Sequence, residues 1–267
     1  MNLALLRHTW RTNRVRLVML CAAASLWGAL LPVVYSRFGS SFKDLFESGV
    51  FPKGLARFGG GDIFSLPGAI ALGFIHPLSL VLVCIFAVGF ASGAVAGERQ
   101  RGTLEVLLSR PLSRRRVYAT LLFAALGFVA LLLTALLLGA LVSASASGVI
   151  DEIELGRAPL AWLNAFLLFG AIATIGLAAS VSCDRASRAL GTTMAIVLAS
   201  YFLEILGGLW PDAAFLQRYS LFHYLQTRRV LTGDSDPFAF ALLAIAAIVA
   251  IGVALVVFPR RNLAAPS

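Results

Sequence analysis

Charge is scarce in this 267-residue chain: Asp, Glu, Lys and Arg make up 13% of it. A soluble domain carries about 25%. Mean hydropathy is +0.88, and 59% of the residues are hydrophobic. This composition excludes a soluble enzyme and a disordered chain. The apolar residues come in long blocks rather than in alternation, which argues against a β-barrel. Lysine is nearly absent, with Lys43 and Lys53 the only two among 22 basic residues. Neither lies in a Gly-x-x-x-x-Gly-Lys-Ser/Thr run, so the motif that cradles nucleotide phosphates is missing. Cys21, Cys84 and Cys183 are too few and too scattered for a disulfide framework, and no pair has metal-ligand spacing. Gly-x-Ser-Gly and His-Glu-x-x-His are absent, which removes a rhomboid-type serine site and a zinc-protease site. No catalytic residue, no metal site and no cofactor bound by this chain is expected.

What is present is a set of apolar blocks long enough to cross a membrane. A helix needs about 20 residues to span ~30 Å of hydrocarbon. Blocks at about 17–35, 70–97, 117–142, 160–182, 189–210 and 237–258 each support one span, in a single transmembrane domain covering 1–267. The basic start followed by an apolar run resembles a signal peptide, but the run from Leu17 to Tyr35 is too long for one. In the second block, Pro67 and His76-Pro77 predict an irregular start, with regular helix from about Pro77 to Gly97. With the N-terminus inside, 14 basic residues fall on the inner side and 8 on the outer. The positive-inside rule favours that orientation, with both termini cytoplasmic. The net charge of +9 then reports the flanks of spans, and no nucleic-acid partner is expected.

Several smaller features carry candidate roles. Leu3, Leu6 and Trp10 form an apolar stripe while Arg7, Arg11 and Arg14 follow their own spacing, which fits an interfacial helix on membrane lipid. Phe215, Tyr219 and Phe222 fall at i, i+4 and i+7, as in a short helix at the outer interface. Gly89, Gly93 and Gly97 repeat every four residues, a spacing that lets helices approach closely within the chain or across a dimer. Glu204 is a lone carboxylate within an apolar block. It reads either as a group paired with Arg218 or Arg228 or reaching water, or as a polar point in a transport path.

The most informative stretch is the loop from Gly97 to Tyr118, GERQRGTLEVLLSRPLSRRRVY. Gly102 breaks the preceding helix. Thr103 is a good N-cap, and Glu105 lies in the first turn, where the helix dipole favours a carboxylate. Leu104, Leu107 and Leu108 form one apolar face, and Pro111 ends the segment. Ser113 can cap the next span. The pattern predicts a two-turn amphipathic helix held between two spans, suited to a groove on a soluble partner.

The run Glu98-Arg99, Gly102-Thr103-Leu104-Glu105, Leu107-Leu108 and Pro111-Leu112-Ser113-Arg114 resembles the signature of type-2 ATP-binding-cassette (ABC) transporter permeases. Thr120-Leu121 stands where that family often has Gly-Lys. The resemblance implies an all-α membrane protein with six transmembrane helices, an N-terminal amphipathic interfacial helix and a short cytoplasmic coupling helix. It implies a non-catalytic permease subunit, in an exporter of unidentified cargo, in a bacterial inner membrane. ATP and Mg would be bound by separate nucleotide-binding ATPase subunits, which grip the coupling helix. A dimer with a second copy or a related permease is implied too. Two other readings stay open: transmission of ATP-driven movement to an extracytoplasmic partner in metalloenzyme maturation, and an ion-driven secondary transporter.

Overall fold

The computed structural model describes residues 2–47, 65–102 and 113–261, with side chains of 40–47 excepted. The described residues contain helices and no strand. In chain order the helices are α1 (Leu3–Glu47), α2 (Leu66–Ile75), α3 (Pro77–Gly93), α4 (Ala96–Gln100), α5 (Arg114–Ala146), α6 (Ala158–Ser182), α7 (Ala186–Leu209), α8 (Thr227–Leu231) and α9 (Pro237–Arg260). Helices α1, α5, α6, α7 and α9 are each long and apolar enough to cross a membrane, and α2 with α3 passes the same test as a bent pair.

Local chemistry sets the boundaries. Ser65 caps α2 by accepting from the Gly68 N–H. His76 then adopts an extended conformation, as a residue before proline does, and α3 leaves at 47° to α2. The His76 ring caps α3 through the Leu78 N–H, and Pro77 occupies its first position. Ser113 caps α5 and Asp236 caps α9, each by accepting from a first-turn N–H.

The N-terminal stripe and the first span form one helix. The break that an interfacial helix turning into the membrane would need does not occur. No Gly or Pro precedes Gly28 in α1, and Arg is a good helix former, so the basic run continues the helix rather than ending it. Tertiary contacts lay it along α5, with the two helices running in the same direction. Asn2 N–H donates to Thr120 Oγ1 at 2.9 Å, and the rings of Trp10 and Phe128 lie 4.8 Å apart. Further along, a Cβ on Gly28 would stand 2.1 Å from the Leu136 carbonyl oxygen, and one on Gly139 would stand 2.1 Å from that of Ser25. Only glycine permits this approach. By contrast, Gly93 has open space around it, and Gly89 and Gly97 are met mainly by arginine side chains. Gly89 lies within a π-helical turn at Ile85–Phe90, and α3 ends at Gly93 rather than running on regularly to Gly97, with residues 94–95 separating it from α4, so the four-residue spacing does not lay the three along one seam.

The core runs through the middle of this bundle. Phe86, Phe90, Phe128 and Trp10 form an aromatic cluster where α1, α3 and α5 meet. At one end of the bundle, the fully buried Asn164 of α6 donates to the Tyr224 carbonyl at 3.0 Å and accepts from the Gln226 N–H at 2.6 Å. It thereby ties the connection between α7 and α9 to the core. That connection is not one helix: 3-10 segments at Pro211–Tyr219 and Phe222–Tyr224 are separated at Ser220, and Phe222 is buried against Tyr201 rather than facing an interface. Ser220 explains the break, because its hydroxyl accepts from Phe222 N–H within a tight turn.

Candidate functional site

The end of the bundle opposite Asn164 gathers arginines around one carboxylate. Short α4 runs Ala96–Gln100, and Gly102, at φ +72°, turns the chain away from it. Ser180 of α6 fixes the start of α4. Its hydroxyl accepts from the N–H groups of Val95 and Ala96, both at 3.0 Å, and donates to the Ser92 carbonyl at 2.7 Å. Within α4, Glu98 pairs with Arg101, and Arg99 pairs with Asp184 in the turn between α6 and α7. Gln100 accepts from the Ala186 N–H at 3.3 Å, at the start of α7.

Asp184 has a second partner. Arg261, just past α9, pairs with the same Asp184 oxygen and donates to the carbonyls of Val181 at 2.7 Å and Cys183 at 3.0 Å. Those carbonyls belong to the end of α6, where a helix leaves acceptors without intrahelical donors and where a cation is favoured. Arg114, in the first turn of α5, reaches the end of α9 from the other side. It donates to the carbonyls of Phe258 at 3.3 Å, Pro259 at 3.2 Å and Arg261 at 2.6 Å. The Arg99 and Arg261 side chains are 12% and 19% exposed, and Asp184 is 45% exposed. The pairs are therefore shielded on the arginine side and open to solvent on the carboxylate side.

The residues before and after 103–112 are thus anchored to one clamp. Arg99 reaches Asp184 directly, and Arg114 reaches the backbone of Arg261, which itself holds Asp184. Of the residues singled out in the loop, Glu98, Arg99 and Gly102 belong to this arrangement. Thr103, Leu104, Glu105, Leu107, Leu108 and Pro111 lie outside the described residues. Arg261 escaped sequence reasoning as a site residue; Arg114 entered it only as the end of the permease-like run, and Asp184 only within the turn 183–188, which the resemblance implies as a second cytoplasmic contact. Their charges read locally as span flanks, and no spacing links positions 77 to 147 residues apart.

A family model described as ABC-2 family transporter protein matches residues 22–263. The chain belongs to the ABC-2 transporter family. No curated protein and no solved structure matches it. As an ABC-2 permease it is a multi-pass membrane component of an ABC transporter, and such permeases work with ABC ATPase subunits.

Glu204 lies near the other end of the permease, in the last two turns of α7. Neither Arg218 nor Arg228 is its principal partner. Gln217 donates to its Oε1 at 3.0 Å, and the His223 Nδ1 stands 3.7 Å from its Oε2. Gly207 lets this happen, because the Gln217 side chain lies where a Cβ on that residue would be. His223 belongs to the connecting segment outside the spans. Burial, with the nearby Arg229 charge second, holds its imidazole below the ordinary 6.5. Among the described residues no group of three metal-ligating side chains occurs.

Proposed function

We propose that the chain is the membrane subunit of an exporter and that residues 103–111 form its coupling helix. Thr103, Leu104, Glu105, Leu107, Leu108 and Pro111 supply the surface gripped by a nucleotide-binding subunit, and Glu98, Arg99 and Gly102 connect it to the spans. ATP and Mg belong to that subunit. Two permease copies, or one with a related permease, complete the unit. Both termini and the Asp184 clamp then face the cytoplasm of a bacterial cell.

The observation that carries this reading is the anchoring of both flanks of 103–112 on one clamp. A docking element transmits force only if its two stems move with the helices behind them. Here one stem is joined to the junction of α6 with α7, and the other to the end of α9. A push on the loop is delivered through the clamp to α6, α7 and α9 at once, because the packed core deforms as a body rather than locally.

The test is co-purification followed by uncoupling. The wild-type chain brings down a cassette ATPase whose hydrolysis rises with cargo. Replacing Glu105 and Leu107 together by alanine breaks that response while the helical content of the permease is unchanged. A chain that transports alone, or a double variant that remains coupled, rejects the proposal.

A further inference from the structure

The connection between α7 and α9 lies between two spans in the chain but beside them in space. It turns back at Trp210 and runs down the flank of α7. The Gln217 side chain lies against Gly207 and donates to Glu204. Ser220 Oγ is 3.3 Å from Ser200 Oγ, which also accepts from the Leu221 N–H at 2.7 Å. Glu204 and Ser200 stand about 8 and 14 Å below Leu209, at a rise of about 1.5 Å per residue. On the far side, the bonds from Asn164 to residues 224 and 226 hold the same segment about 9 Å below the start of α6.

That depth lies inside the hydrocarbon. Helices α6, α7 and α9 have 25, 24 and 24 residues, and so are about 36–38 Å long. The hydrocarbon core is ~30 Å thick, so about 6–8 Å of each helix stands clear of it. Even with all of that excess on the outer side, the turn of α7 from Ser200 to Glu204 remains within the core. Arg188, exposed in the first turn of α7, draws part of the excess to the inner side.

At this level the segment has two faces. One is sealed against the bundle by the buried Ser220, Phe222 and Asn164. The other is open. Tyr219 is 70% exposed, Arg218 is exposed, and the His223 side chain is 44% exposed. Irregular backbone at membrane depth stands against protein or against water, not against lipid tails. Arg218 is long enough to reach the headgroups, but His223 is not. Beneath His223 lies the mostly buried Glu204, whose Oε2 has no hydrogen bond among the described residues.

We propose that Arg218, Tyr219 and His223 line a water-filled vestibule, open to the outer side and entering the outer leaflet, with Glu204 at its floor. Water beside His223 gives the Glu204 oxygen the donor that a buried carboxylate needs. Trp210 and Phe215, exposed near the outer end of α7, mark the rim at the headgroup level, where aromatic rings are favoured. The vestibule admits water and the polar groups of a solute and excludes lipid tails. Its placement rests on the permease reading, which it deepens by giving the outer end a surface for the hydrated part of a cargo.

The test uses the full chain with its co-purified ATPase in right-side-out vesicles, with Cys21, Cys84 and Cys183 replaced by serine. Single cysteines enter as H223C, D212C and I245C, and each is treated with a charged, membrane-impermeant maleimide. Asp212 is exposed at the rim, and Ile245 is exposed on an apolar face about 12 Å below the start of α9. H223C is expected to react within roughly tenfold of the D212C rate, and I245C about a hundredfold more slowly than D212C. An H223C rate as low as that of I245C overturns the proposal, whether lipid or a second permease covers the site. Reaction only in inverted vesicles overturns it too. Should H223C not accumulate, Y219C carrying a nitroxide decides the matter. More collision with a water-soluble nickel chelate than with oxygen supports the vestibule, and the reverse overturns it. Loss of ATPase association in the wild-type preparation would reject the permease reading alone, since labelling is read on the chain itself.

Discussion

Arg99 and Arg261 converge on a single oxygen, Oδ1 of Asp184, from helices that are far apart in the chain. The geometry makes Asp184 the common point of α4, the α6–α7 turn and the end of α9. Asp184→Ala removes the one carboxylate that two largely shielded guanidinium groups share. The expected loss of stability is about 1–3 kcal/mol, since the carboxylate itself is partly in solvent. Asp184→Asn keeps an acceptor oxygen and should lose less. Thermal unfolding in detergent measures both, and an alanine variant as stable as wild type contradicts the clamp.

A pair of glycine substitutions separates close helix packing from mere small-residue spacing. Gly139→Ala would place a methyl group against the Ser25 carbonyl, which is backbone and has no rotamer to yield. A loss of about 3 kcal/mol or more is expected. Gly93→Ala meets open space within the chain and should be neutral or up to about 1 kcal/mol stabilising, as an alanine in a helix usually is. Unfolding midpoints of the two variants in detergent, measured side by side, check the contrast.

The spans and their caps were legible because their signals are local. Apolar blocks foretell α1, α5, α6, α7 and α9, and His76-Pro77 foretells the bend between α2 and α3. Ser113 foretells the start of α5. The unbroken α1 was not legible. Four arginines before an apolar run look like a boundary, yet the side-chain charge of Arg does not oppose helix, and Trp10 packs on Phe128 whatever the flank carries. The clamp was hidden for a different reason. Asp184 and Arg261 are each ordinary charges at the end of a span, and only the fold brings them together. The Asn164 bonds to residues 224 and 226 were hidden in the same way, within an otherwise apolar helix.

Acidity should loosen the connection that carries His223. Its folded-state affinity for a proton is held below the ordinary value, so the unfolded chain binds the proton at higher pH. The group's contribution to stability is complete above about pH 6.5 and falls as pH drops below it. At neutral pH the contact with Glu204 is made by a neutral imidazole. His223→Gln should flatten the pH dependence of thermal stability between about pH 5 and 7. An unchanged slope in that variant contradicts the assignment.

The central claim is that residues 103–111 are held by an ATPase subunit. Site-specific cross-linking tests it most directly, with L107C carrying a short photoactivated linker in membranes that contain the co-expressed cassette ATPase. The account predicts a cross-link to the ATPase whose yield changes when ATP is added. A linker that reacts only with lipid, while the same linker on R188C captures the ATPase, would contradict it.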